Sequence, residues 1–258
     1  MRTLQATRYV TPLREGGSLP AIVETDDDGL YVLKFRGAGQ GPKALIAELV
    51  AGELARATGL PVPEIVFMQL DVELARTEPD PEIQDLIRAS GGLNIALDYL
   101  PGAVSFDALT MQPDAELASS IVWLDALVSN VDRTPRNVNM LCWHRRLWLI
   151  DHGAAMVFHH GRGDWLQRAD QPFERIKEHA LLPFAKALAE ADKALTARLT
   201  PEVISNVVQL IPDDWLANEP HFADRDAQRD AYRSYFVSRL HSPRAFATEA
   251  IRAHAAHL

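Results

Sequence analysis

Residues 130–151 constrain this chain more than any other stretch. They open with a polar loop, Asn130-Val131-Asp132-Arg133-Thr134-Pro135-Arg136-Asn137, and continue as two short apolar runs, 138–142 and 147–150, joined by the polar turn Trp143-His144-Arg145-Arg146. Apolar runs of strand length on either side of a short polar turn predict a β-hairpin. Because the loop enters the hairpin and Asp151 leaves it, Asp132, Asn137 and Asp151 are brought to one end.

That end concentrates acid. A carboxylate about 4 Å from a single phosphate charge is opposed by roughly 4 kcal/mol at an effective dielectric near 20, so the cluster repels an anionic ligand unless a cation accompanies it. With Mg²⁺ the sign reverses. The donor set then suits phosphoryl transfer, with one acid to meet an attacking hydroxyl and an amide and a second carboxylate as hard oxygen ligands for the metal. Taken alone, the loop is equally an ordinary turn, and the N-terminal third tips the balance.

Residues 3–10 predict a first strand. Gly16-Gly17-Ser18 lies in a turn before the apolar Ala21-Ile22-Val23, and the acidic turn Asp26-Asp27-Asp28-Gly29 separates that run from Leu30-Tyr31-Val32-Leu33-Lys34-Phe35. Asp-Gly between apolar runs is a hairpin signal, since glycine supplies positive φ without steric cost. Amides of a Gly-Gly-Ser turn can approach phosphates closely. A lysine late in an apolar strand either snorkels to water or reaches the phosphates of a nucleotide beneath it. Residues 42–58 predict a helix closed by Gly59, with Pro61 and Pro63 beyond. Its apolar stripe is Ile46, Val50, Leu54 and Ala57, with Glu48 roughly opposite among Ala44, Ala51 and Ala55, and Glu53 bordering the stripe. A strand over 64–74, a short helix over 82–89 and a strand over 93–100 follow, the last running into the Pro101-Gly102 turn.

The D-x-x-x-x-N of Asp132 and Asn137, followed by an apolar strand and Ile150-Asp151-His152-Gly153, resembles the catalytic segment of the protein-kinase-like superfamily. With Asn130 included, N-x-D-x-x-x-x-N looks like the HipA-like kinases, while D-R-x-x-x-N with I-D-x-G is similar to the phosphoinositide kinases. The wording from Glu48 to Pro63, with its L-A-x-x-x-G-L-P-V-P tail, resembles the first helix of HipA-like kinases. This resemblance implies an α+β, two-lobed protein-kinase-like fold: a small, mainly antiparallel β N-lobe plus one helix at 1–100, and a largely helical C-lobe at 101–258. It implies ATP and Mg²⁺ as cofactors, Asp132 as catalytic base or hydroxyl-orienting acid, and Lys34 as phosphate clamp, oriented by Glu48 with Glu53 as the rival. Gly16, Gly17, Ser18 and Arg136 would join Lys34 at the nucleotide, with Leu97, Asp98, Tyr99 and Leu100 as a hinge against adenine, and Asn137 and Asp151 as metal ligands. Ala21 stands near the place where the family often carries a lysine after its glycine turn. The implied acceptor is a Ser or Thr hydroxyl on a protein substrate. Since I-D-x-G leans toward lipid kinases, a small-molecule or lipid kinase is the alternative, and a nucleotide-binding pseudokinase acting as an interaction module is a second. HipA-like toxins work with a small DNA-binding antitoxin, so an antitoxin-like partner belongs to the same expectation.

Asp114 predicts the N-cap of a helix through Ser129, with Leu117, Ile121, Leu124 and Val128 on its buried side. Asp125 within it is expected to be a partnered or exposed acid. Residues 152–183 lack periodicity and are where an activation or substrate-docking loop of a kinase would lie. The adjacent His159 and His160 share no face and predict no zinc site. Further helices are predicted near 183–191, 201–211, 226–240 and 243–257. A formal charge of −9 argues against direct binding of nucleic acid through phosphate neutralisation. Cys142 is the single cysteine and cannot form an intrachain disulfide. With no apolar leader and no run of membrane-spanning length, a cytoplasmic chain without membrane contact is expected.

Overall fold

A computed structural model describes residues 1–13, 19–161, 165–216, 221–241 and 243–257. In the first lobe, β1 (Thr3–Pro12), β2 (Ala21–Thr25), β3 (Leu30–Lys34), β4 (Ile65–Leu70) and β5 (Gly92–Asp98) close into a barrel in the order β1-β2-β3-β5-β4. Neighbours run antiparallel except at the closure, where β1 and β4 pair parallel through Thr3↔Phe67, Leu4↔Met68 and Gln5↔Gln69. One strand serves both partners because register shifts between Ala6 and Arg8 and between Tyr9 and Thr11 bend β1 along its length.

Strand alternation divides the apolar residues between two cores. Val66, Met68 and Ala96 point into the barrel with Leu4, Val23, Tyr31, Leu33 and Phe35, while Ile65, Ile95 and Leu97 face outward and join the larger core. The barrel core also takes in Ile83 and Ile87 of α2 (Pro81–Ala89). The larger core begins with α1 (Pro42–Ala57), buried almost all round from Leu45 to Gly52, which lies between the outer face of the barrel and the second lobe. Ala57, on the predicted stripe, is exposed.

The second lobe is built on α3 (Ala115–Val128), whose N-cap Asp114 accepts from the Leu117 amide at 2.7 Å. A small sheet beside it holds β6 (Val104–Ser105), β7 (Met140–Trp143) and β8 (Arg146–Leu149), the last two forming the predicted hairpin. The lobe is completed by α4 (Leu188–Arg198), α5 (Pro201–Gln209), α6 (Arg225–Leu240) and α7 (Ala245–His257). Two boundaries differ from expectation. The strand predicted over 64–74 stops at Leu70, because the Asp71 carboxylate accepts from the Glu73 amide and starts a 3-10 turn, Val72–Thr77. The helix expected over 183–191 begins only at Leu188, since Pro183 sits in a separate 3-10 turn, Leu182–Phe184.

The lobes are pinned together at several points away from the 97–100 connection. Arg198 donates to the Thr58 carbonyl at 2.5 Å, the Leu149 amide to Pro61 at 2.8 Å, and the Trp215 indole N–H to Leu93 of β5 at 3.0 Å. Trp215 also packs edge-on against Phe67 of β4, ring centroids 5.7 Å apart.

Candidate active site

Because Tyr31, Leu33 and Phe35 turn into the barrel, Lys34 points out of it toward α1. Its Nζ lies 2.6 Å from Glu48 Oε2 and 2.5 Å from Asp151 Oδ1. Glu48 is fully buried, and its Oε2 also accepts from the His152 amide at 2.8 Å, with the His152 ring 3.5 Å from Oε1. Glu53, the rival, instead faces Arg56 at 3.6 Å. Burial opposes charge on both members of the central pair. The opposing pull of Glu48 and Asp151 outweighs it at Lys34, whose pKa rises, and that of Lys34 and His152 holds the Glu48 carboxyl down at about 2.

Asp151 adopts φ 56°, a left-handed conformation unusual for a residue with a side chain, two residues after β8 ends at Leu149. Its side chain keeps 43% of its surface exposed, and Lys34 engages only Oδ1. On the loop, Asp132 Oδ2 accepts from Asn137 Nδ2 at 2.8 Å and Asn139 Nδ2 at 3.2 Å, and the Asp132 amide donates to Asn130 Oδ1 at 3.1 Å. A carboxylate can only accept, so these bonds set the orientation of both amides. Asn137 therefore turns its carbonyl oxygen away from Asp132. Asn139, at φ 45°, links loop to hairpin exit, because its carbonyl accepts from the Ile150 amide at 3.1 Å.

Beneath the loop lies a buried charged cluster. Asp125 of α3 accepts from Arg133 Nε at 2.6 Å, His179 Nε2 at 2.8 Å and Asn130 Nδ2 at 3.0 Å, and all four side chains are at most 5% exposed. Burial alone would raise the Asp125 carboxyl, but Arg133 and His179 pull it well below the usual carboxylate range. Nearby, Arg239 of α6 closes the C-terminal end of α3, donating to the carbonyls of Ala126 at 3.0 Å and Leu127 at 2.8 Å.

The predicted residues are placed as follows in the fold. Lys34, Glu48 and Asp151 meet directly, while Asp132 and Asn137 meet on the loop that Asn139 ties to the Asp151 strand. Arg136 is exposed on the loop. In the 97–100 segment, the Asp98 amide donates to the Glu64 carbonyl at 2.8 Å and the Tyr99 amide to that of Leu30 at 3.0 Å, so both are held within the first lobe. Gly16, Gly17 and Ser18 lie outside the described residues. Sequence reasoning assigned no role to Arg133, Asn139, His152 or His179. The available signals were a charged residue next to Asp132 and a second asparagine two positions after Asn137.

A family profile described as HipA-like kinase matches residues 7–241. The chain belongs to the HipA-like kinase family. Among solved structures it is similar to the Helicobacter pylori proinflammatory kinase CtkA, at 13% identity and TM-score 0.60, with 95% of this chain and 96% of that one covered. It is also similar to the Golgi casein kinase with Mn/ADP bound, at 12% identity and TM-score 0.50, covering 97% of this chain and 75% of the other. At these identities the likeness establishes a two-lobed kinase fold. A comparison with curated proteins gives no match.

Proposed function

We infer that the chain is an ATP- and Mg²⁺-dependent protein kinase that phosphorylates Ser or Thr hydroxyls. The observation that carries this is Lys34 Nζ lying within 2.6 Å of Glu48 and 2.5 Å of Asp151, one amine from the first lobe between a helix carboxylate and an acid of the second. It is the arrangement a phosphate clamp needs, because the buried Glu48 fixes the ammonium beside the partly exposed Asp151.

The remaining roles follow from which atoms are already engaged. Asp132 spends Oδ2 on two amides, which leaves Oδ1 to accept the proton or orient the oxygen of an acceptor hydroxyl. The carbonyl of Asn137 and the second oxygen of Asp151 are hard, uncommitted donors of the kind Mg²⁺ takes. When bound there, the ion supplies positive charge that offsets the phosphates. The Mn/ADP complex of the structurally similar Golgi casein kinase supports nucleotide and divalent metal as cofactors.

The test is incubation of purified protein with γ-labelled ATP, Mg²⁺ and cell extract. Label in a protein band, reduced about 10²- to 10⁴-fold in Asp132→Ala, supports the assignment. Label in a soluble metabolite or lipid pool moves the acceptor to that class, and ATP binding without turnover refutes phosphotransfer.

A further inference from the structure

Arg133 follows Asp132 directly and is 1% exposed. Its guanidinium spans two segments that meet at the site. Nη1 donates to the carbonyl of Asn139, where the hairpin begins, and to that of Ile150 at 3.3 Å, where it ends one residue before Asp151. Nε is held by Asp125, itself held by His179. The Leu181 amide donates to His179 Nδ1 at 3.0 Å, so the ring proton sits on Nε2 and faces Asp125. The segment after the hairpin adds two more supports, the Ala180 amide to the Arg133 carbonyl at 3.0 Å and Arg175 Nη2 to the Val131 carbonyl at 3.3 Å. Residues 175–180, expected in a mobile or substrate-docking stretch, therefore underpin the loop.

A buried ion pair gains little stability over apolar packing of the same volume. What this one supplies is geometry, because the arginine that binds both ends of the hairpin is the residue next to Asp132. We propose that Asp125, Arg133 and His179 are positioning residues that fix the separation of Asp132 from Asp151, and so set the rate of phosphate transfer and not the affinity for nucleotide. This rests on the phosphotransfer assignment above. Asp132 reaches the site on the backbone of Arg133, and Asp151 on the carbonyl that Arg133 holds. Shifting either by about 1 Å is enough to lower a rate roughly 10²-fold.

His179 is the member to change, because it is one of three donors to Asp125 and its loss keeps both Arg133 and Asn130 as partners of that carboxylate. His179→Ala should lower kcat by roughly 10²-fold with the KM for ATP unchanged, and His179→Gln, which can present a side-chain N–H to Asp125, should recover part of that loss. In hydrogen exchange, His179→Ala should speed the Asp132 and Ile150 amides, bonded to Asn130 Oδ1 and the Asn139 carbonyl, and leave β3 unchanged. Wild-type kcat in His179→Ala, a KM that rises in step with the loss of kcat, or exchange accelerated evenly over the chain would each overturn the proposal. Should the wild-type protein transfer no phosphate, the functional assignment fails by itself, and the exchange pattern still decides: beyond the Ala180 and Leu181 amides, which bond to the Arg133 carbonyl and to His179 itself, acceleration confined to Asp132 and Ile150 upholds the positioning role, and unchanged or chain-wide exchange refutes it.

Discussion

At Lys34 three charges hold one another, so removing one is felt by the others. Lys34→Met leaves Glu48 fully buried without its cation, and breaking such a pair from one side costs about 3–5 kcal/mol. Urea unfolding should show that loss, and Lys34→Met combined with Glu48→Gln should regain part of it. If the double variant is no more stable than Lys34→Met, the two side chains are not coupled. Acid stability follows the same pair. Burial would raise the Glu48 carboxyl, but Lys34 and His152 bring its folded pKa down to about 2, so its contribution is complete above the ordinary glutamate value near 4.5 and is lost as pH falls toward 2. That shift corresponds to about 3 kcal/mol. Between pH 5 and 2 the wild-type protein should therefore lose more stability than Glu48→Gln, and parallel curves would refute the ion pair. The helix pattern offered both Glu48 and Glu53, because periodicity says which residues share a face and not which face meets a given neighbour. Arg133 was illegible for a related reason: an arginine in a polar loop reads as solvated, and its burial comes from Asp125 and His179, 8 and 46 residues away along the chain.

Secondary-structure elements with a clear local signal were readable, and those whose ends carry a weak or misleading one were not. Asp114, the Asp28-Gly29 turn and the Thr200-Pro201 start carry their own chemistry, and each stands where it was expected. The first turn of α4 has no such signal, since Ala187 caps it without a side-chain bond, whereas Pro183 gives a helix-start signal in the wrong place. The β7–β8 hairpin was legible as a pair of apolar runs, but its two-residue turn is unusual. His144 and Arg145 sit at φ 49° and 62°, a conformation that favours Asn-Gly and costs ordinary residues roughly 1–2 kcal/mol each. His144→Asn with Arg145→Gly should raise stability by about 1 kcal/mol, read as a higher urea midpoint at unchanged slope; a lower midpoint would mean that the native side chains outweigh the strain. Trp215 has the opposite effect. It brings a 3-10 turn of the second lobe onto Phe67 and the Leu93 carbonyl, so Trp215→Ala should cost about 3–5 kcal/mol and loosen β5 amides in hydrogen exchange.

Over the whole molecule, the division into lobes is a division of shape more than of stability. One apolar core runs from α1 and the outer faces of β4 and β5 through α3 to α7, while the barrel interior is separate and smaller. The first lobe cannot lose α1 without opening the core of the second. Calorimetry should accordingly show a single transition with van't Hoff and calorimetric enthalpies in agreement, and two resolved transitions would mean that the lobes are independent. The kinase-like order of elements made the two-lobed plan legible from residues 9–160, but not the parallel pairing of Thr3–Gln5 with Phe67–Gln69, which joins segments more than sixty residues apart. That pairing has a consequence for assembly. Where the sheet closes on itself, Thr3–Gln5 and Phe67–Gln69 spend their facing amides and carbonyls on each other, so among the described residues that seam offers no row onto which an incoming chain can be stitched. Anything that docks on that seam has to read side chains, whereas recognition by added backbone needs a strand with an unpaired edge, such as those of the three-stranded sheet β6–β7–β8.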